Sequence, residues 1–400
     1  MRYAAVVAGK GESVLTKLEA VWPWLPAGLA VVASGVVLVT LPVPWRRRAL
    51  ALVGVGIAAA VYRSAVPGVV LLHAAVFLVA AWLGRLPVGE PGTTGLRLVV
   101  ARVAMVLLAV GAYAGRAAGV TAWRFPFAGL EWAPIYLDVL MFARLEALLW
   151  ELGVGRVVRV TPGEMLTWSA LPFTLMGPLL RFSDWQRQSE AGAPGAGDLL
   201  AAARVGLLGA AQVAGVVAMA ALHAALMPAA GVRLPLVLRM AEWFGFGPWS
   251  FYLGASGYAN LAVAAAACVG IRVPPMFDRP FGRPNLSAFW AHWNIPVTFF
   301  VRDVLFYQRW GFGRGDVYLS VVAIFLVIGL WHSGHPYWAI WGLLHGAGFC
   351  VYVAYTRRLR AGDVFAVRMQ AVVPGRVLTY VFVCGAWMAP PQILRIVARL

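Results

Sequence analysis

Hydrophobic runs of membrane length set the pattern of this chain. Leu25–Val43, Trp249–Ile271 and Val377–Leu394 contain no charged residue at all. About 20 apolar residues in a helix, rising 1.5 Å each, cover the roughly 30 Å hydrocarbon core of a bilayer. In lipid each backbone N–H and C=O must pair within its own segment, so these runs predict helices. The same reading along the chain predicts spans over 25–43, 49–62 (short), 66–84, 98–113, 133–150, 163–180, 201–227, 249–271, 317–331, 336–355 and 377–394. The predicted fold class is therefore all-α, a polytopic membrane protein with about 10–11 transmembrane helices. The first 24 residues lack a continuous apolar stretch and carry Lys10, Glu12, Lys17 and Glu19. They predict a short interfacial helix rather than a secretory signal. Residues 25–400 show no fixed-period repeat and no long polar stretch, and are expected to form a single membrane domain.

Two segments break the simple pattern. Asp138, Arg144, Glu146 and Glu151 lie in or beside an apolar run, where a helix would put Arg144 and Glu151 on one face. Charge inside a membrane is costly, so an ion pair in a bundle interior is the expectation there, with a polar substrate path as the alternative. The stretch 277–316 (FDRPFGRPNLSAFWAHWNIPVTFFVRDVLFYQRWGFGRGD) holds five arginines and three prolines among many aromatics. It is too charged to span and too aromatic for an ordinary loop, which predicts interfacial or re-entrant helices lining a cavity.

Composition sharpens this picture. Of the 400 residues 62% are hydrophobic and 12% charged, against about 25% charged in a soluble domain. The formal net charge is +17, from 33 Lys plus Arg against 16 Asp plus Glu. The cations gather in short loops, Arg46–Arg48 and Arg357, Arg358 and Arg360, which the positive-inside rule puts on the cytoplasmic side. No aromatic-basic module accompanies the charge, so nucleic acid is not an expected partner. Cys268, Cys350 and Cys384 lie far apart in apolar runs, with no CxxC spacing to indicate zinc or a disulfide framework.

The chemistry-bearing residues concentrate late in the chain. Three of the six histidines, His332, His335 and His345, fall in GLWHSGHPYW (329–338) and WGLLHG (341–346). Trp331, Trp338 and Trp341 surround them, and the glycines at 329, 334, 342 and 346 permit close approach of a helix or substrate. From the residues alone three readings stay open: hydrogen bonds between helices, a metal site, or general-base catalysis by a neutral imidazole. Against metal, Pro336 interrupts the helix after His335 and no carboxylate lies near in sequence.

Four blocks, in order, resemble the membrane-bound O-acyltransferase superfamily, most closely its bacterial alginate O-acetylase-like branch. They are PFTLMGPLLRF (172–182), SGYANLAVAAAACVGIRVPPMFDRPF (256–281), FWAHWNIPVTFFVRDVLF (289–306), and GLWHSG with WGLLHG. They cover about residues 170–350 within an expected family core of about 130–355. The resemblance implies a ring of helices around a central tunnel, in the inner (cytoplasmic) membrane of a bacterium. It implies an acyl thioester donor from the cytoplasm, acetyl-CoA or an acyl-carrier thioester, with no permanently bound cofactor and no metal. The implied acceptor is a hydroxyl of an envelope polysaccharide or glycolipid, and a separate extracytoplasmic transferase is the implied partner besides membrane lipids. His332 matches the acyl-transfer histidine of the family's Leu-Trp-His-Gly box, and His345 its second His-Gly motif. Asn294, with nearby amide or indole donors, is expected to position the acceptor or the oxyanion, and Arg302 and Trp331 to hold the donor. Asp303 is expected to pair with a cation other than its neighbour Arg302.

The sequence also departs from the alginate-type pattern. Trp293-Asn294-Ile295 stands where that branch has Trp-His-Ile, and Ser333 replaces the glycine directly after the box histidine. Gly254 and Asn260 stand where the Ser-Gly-Tyr helix normally carries carboxylates. Asparagine at 294 resembles the lipid- and sterol-acylating branches, which keeps a lipid acceptor as the alternative. A transporter or flippase is the alternative of another class; it predicts paired inverted halves, which the chain does not display.

Overall fold

A computed structural model describes residues 66–88, 95–117, 133–169, 179–188, 194–227, 235–268, 270–306, 317–332, 336–372 and 374–398, with a few positions between 41 and 56. The described residues form helices and connecting turns, with no strand among them. The fold is that of an all-α polytopic membrane protein. The expected N-terminal interfacial segment and most of the first two predicted spans lie outside the described residues. The chain divides into two compact units.

One unit comprises 21–209 with 258–275. In it, α1 (Val66–Leu83), α2 (Leu96–Ala117) and α3 (Ala133–Gly153) pack together, on the predicted spans 66–84, 98–113 and 133–150. The span predicted over 163–180 is helical as α4 (Pro162–Ser169), while Leu179–Arg181 are non-helical and lead into α5 (Phe182–Gln188). The sequence TPGE starts α4. Thr161 Oγ1 accepts from the Glu164 amide at 3.3 Å, and Glu164 accepts from the Thr161 amide at 2.9 Å. That reciprocal capping box, with Pro162 in the first turn, satisfies amides that have no partner inside the helix.

The polar residues of α2 and α3 are anchored to backbone and side chains of the surrounding turns. Arg97 is 1% exposed and donates to the carbonyls of Leu152 (2.5 Å), Leu86 (3.2 Å), Val157 and Val158 (2.8 Å each). Its planar fork ties the start of α2 to the turns after α1 and α3. Arg144 donates to the carbonyls of Trp168 (3.1 Å) and Ser169 (3.0 Å) and lies 4.9 Å over the Trp168 ring. Glu151 accepts from the amide and hydroxyl of Ser183. Each end of the anticipated Arg144–Glu151 pair therefore reaches forward to a later element.

The other unit holds 210–257 and 276–400, and with them the histidine motifs. Its elements include the later part of α6 (Ala196–Leu226), α7 (Leu236–Ala241), a π-helical turn (Glu242–Phe246) and the first part of α8 (Gly247–Cys268). After these come α9 (Leu286–His292), α10 (Ile295–Phe300), a second π-helical turn (Val301–Phe306) and α11 (Val317–His332). The chain closes with α12 (Pro336–Arg360), α13 (Val364–Val372), α14 (Gly375–Met388) and α15 (Pro390–Val397), the last two meeting at a 45° bend. Among the described helices, α6, α7 through α8, and α12 are each long and apolar enough to cross a membrane, and α14 with α15 adds a fourth as a bent pair.

The described part of the aromatic stretch after α8, residues 277–306, contains short helices. Asn285 caps α9 by accepting from the Ala288 amide at 2.8 Å. Trp293 is 6% exposed and sits among Phe251, Tyr252, Phe277, Phe281, Phe289 and Trp387. This cluster is core packing. Around it, Ile295 N donates to the Met276 carbonyl (2.9 Å), and Thr298 Oγ1 to the carbonyls of Trp290 and Trp293 (3.0 Å each).

Candidate active site

The two histidine motifs lie on a helical hairpin, α11 and α12, closed by glycine. A Cβ on Gly329 would strike the Trp338 carbonyl, and one on Gly342 the Phe325 carbonyl. At Gly346 it would come 3.0 Å from the Val322 Cα. Small residues let helix backbones approach this closely, which is how apolar helices associate where lipid removes the hydrophobic drive. The approach places the end of α11 against the first turns of α12. His332, the last residue of α11, stacks on Trp338 with centroids 4.4 Å apart, and Trp341 presents its edge at 6.0 Å.

His345 lies one helical turn beyond Trp341, 4.6 Å from it by ring centroids. Trp341 thus sits between the two histidines. His345 is 0% exposed, enclosed by Trp290 (5.2 Å), Phe325 (5.9 Å), Trp341 and Phe382 (5.6 Å). Neither of its ring nitrogens has a hydrogen-bond partner among the described residues. The same holds for the sealed indole nitrogens of Trp290 and Trp341, whose rings touch it, and, apart from them, for Asn294 Oδ1. Buried polar atoms are nearly always bonded to protein or ordered water, so the unsatisfied groups on these three rings mark the region as unlike ordinary core.

Asn294 joins α9 to α10 in the left-handed conformation, φ 44° and ψ 54°. Asparagine is one of the few residues with a side chain that tolerates this backbone. The kink aims two successive helices at the hairpin, Trp290 of α9 at His345 and Phe300 of α10 at Trp331, stacked at 6.1 Å. Its side chain does not cap α10. The asparagine is placed by the backbone, and its carbonyl oxygen is left buried and available.

Arg302 lies over the Phe299 ring at 4.6 Å and donates to Asp303 Oδ1 at 2.9 Å. Adjacency was expected to keep these two side chains apart, and here they meet. Adjacent side chains diverge on an ideal α-helix, but these two occupy a π-helical turn, and the arginine is long enough to fold back. Trp331 and Arg302 thus both gather about the segment 299–303. Ser333, Gly334 and His335 lie outside the described residues, as do Trp310 and most of the 172–182 block.

Sequence reasoning expected indole donors near Asn294 without naming them, and did not single out Trp290 and Trp341. The readable signal was WGLLH: Trp341 and His345 are four apart and share a helix face. The approach of Trp290, from 55 positions earlier, had no such signal.

This architecture falls within a known class. A model of the membrane-bound O-acyltransferase family matches residues 69–393, and the chain belongs to that family. It is 29% identical over 150 residues to a peptidoglycan O-acetyltransferase of Helicobacter pylori, covering 36% of this chain and 28% of that one. To a probable alginate O-acetylase of Azotobacter vinelandii it is 30% identical over 112 residues, covering 27% and 21%. To a teichoic acid D-alanyltransferase of Streptococcus thermophilus it is 25% identical over 235 residues, covering 54% and 56%. The chain thus spans less than two thirds of the length of each of these curated relatives.

Proposed function

We propose that this protein is an O-acyltransferase of the bacterial cytoplasmic membrane, moving a short acyl group from a cytoplasmic thioester to a hydroxyl of an envelope polysaccharide or glycolipid. The observation that carries the reading is the His332–Trp341–His345 succession on the glycine-closed hairpin, within the matched family region. His332 acts as general base. It takes the proton of the acceptor hydroxyl as that oxygen attacks the thioester carbonyl. A C–O bond forms, the tetrahedral intermediate collapses, the C–S bond breaks, and the proton passes to the departing thiolate. No redox partner enters the balance.

Aromatic walls exclude water that would otherwise hydrolyse the thioester, and they strengthen each hydrogen bond inside. Asn294 contributes a buried acceptor at the joint of α9 and α10, while Arg302 and Trp331 hold the donor. The three relatives' names refer to peptidoglycan, alginate and teichoic acid, which favours a polymer acceptor; the proposed donor is acetyl-CoA or an acyl-carrier thioester. The Trp293-Asn294 pair favours a second reading, a lipid hydroxyl as acceptor. On either reading a separate extracytoplasmic transferase could carry the final step.

The test is the ester-linked acyl content of the envelope in cells expressing wild-type protein or His332→Ala at equal, folded levels. Ester should depend on the wild type and fall to background with the variant, and the fraction that releases it separates glycan from lipid. Equal ester in both strains would remove His332 as the base.

A further inference from the structure

Four nitrogen atoms on three touching rings of the hairpin region are sealed from solvent and bonded to nothing among the described residues. They are Nε1 of Trp290, Nε1 of Trp341, and Nδ1 and Nε2 of His345. The rings are mutual neighbours: Trp341 to His345 4.6 Å, Trp290 to His345 5.2 Å, and Trp290 to Trp341 5.9 Å. Leaving a buried donor or acceptor unbonded costs about 1–3 kcal/mol. Four such groups together rival the 5–15 kcal/mol that typically separates folded from unfolded states. A cluster this concentrated calls for a ligand.

The atoms specify which ligand. Each indole offers a donor only, and a neutral imidazole offers one N–H and one lone pair. Four aromatic rings enclose His345, and a lone charge in such surroundings is too costly to hold. A carbonyl or carboxylate would accept from the N–H groups but give nothing to the imidazole lone pair. An ammonium would serve the lone pair and leave the indoles unbonded. A hydroxyl oxygen does both, accepting from the two indoles on its lone pairs and donating its own proton to the imidazole lone pair, while the imidazole N–H, on the other side of the ring, takes no part.

We propose that Trp290, Trp341 and His345 form a binding site for one neutral hydroxyl oxygen, supplied either by a buried water molecule or by an alcohol group of the acceptor. The water form stands without any enzymatic reading; only the acceptor form rests on the acyl-transfer proposal. Neither depends on His332 being the base.

The experiment uses the full chain in lipid nanodiscs with its tryptophan indoles labelled with nitrogen-15. Trp290→Phe and Trp341→Phe each assign one resonance by its loss, and either assignment is sufficient. The assigned indole proton should lie downfield, in the hydrogen-bonded range. Magnetisation exchange with water that persists in excess glucose, the probe for an alcohol, identifies water as the occupant. Loss of that exchange together with a shift of the resonance in glucose identifies an alcohol. His332→Ala should leave the resonance in place even where it abolishes ester formation, so the two proposals fail separately. An indole proton displaced upfield, showing that the N–H points into a neighbouring ring face as these edge-on contacts would allow, overturns the site.

Discussion

At the residue scale, Asn294 has two features that substitution can separate. Its left-handed backbone sets the angle between α9 and α10, and its side-chain oxygen is buried with no partner among the described residues. Glycine adopts this conformation at no steric cost, so Asn294→Gly should keep the fold and remove only the oxygen. We expect an unchanged thermal midpoint and a fall in ester formation of about tenfold or more, near 1.4 kcal/mol of barrier for each factor of ten. Asn294→Ala should lose stability as well, because alanine in the left-handed region is strained by about 1–2 kcal/mol. A glycine variant with full activity would reduce Asn294 to a hinge. Sequence could flag this asparagine, through the Trp-Asn pair, because its chemistry is local. It did not foresee the Arg302–Asp303 contact because the argument assumed an α-helix, and the π-helical turn there lets neighbours pair.

At the element scale the site depends on how tightly α11 and α12 approach. Gly→Ala inside a helix ordinarily stabilises by about 0.5–1 kcal/mol. At Gly329 the new methyl meets the Trp338 carbonyl, which is backbone and cannot rotate away. Overpacking of that kind costs about 1–3 kcal/mol, so the net sign is destabilising. Gly329→Ala and Gly342→Ala should lower the midpoint in detergent, whereas Gly111→Ala in α2, with nothing within 4 Å, should leave it level or raise it. Equal responses at the three positions would refute the close-packed hairpin. In the other unit, Arg97→Lys tests the fork that holds four carbonyls. Bonds to a charged donor contribute about 1.5–3 kcal/mol each, and an ammonium cannot reach all four acceptors, so a loss of about 2–4 kcal/mol is expected. Elements such as these were legible where hydrophobic length announced them, as at α8. The partners of Arg97 and Arg144 were not, because they are backbone carbonyls brought near only by folding, and any residue type could have supplied them.

At the scale of the whole molecule, hydropathy made the membrane class legible and the cation loops gave it an orientation. That orientation has consequences for the chemistry. Arg357, Arg358 and Arg360 close α12, and the positive-inside rule sets them in the cytoplasm. Twelve residues back along the helix, about 18 Å at 1.5 Å each, lies His345, near the middle of a roughly 30 Å core. Trp341 and its neighbour His332 lie farther from the cytoplasm, toward the opposite face. On the proposed function and this orientation, a cytoplasmic thioester would extend through more than half the membrane to reach His332, and an envelope acceptor would have the shorter path. Single cysteines in a background lacking Cys268, Cys350 and Cys384 test this. Ala361→Cys, just past the arginines and exposed, should react with a membrane-impermeant thiol reagent only after the cytoplasmic face is opened. A cysteine at Pro336, at the exposed start of α12, should react in intact spheroplasts. Labelling of Ala361→Cys from outside would invert the chain, bring His332 to the cytoplasmic half, and exchange the routes assigned to donor and acceptor.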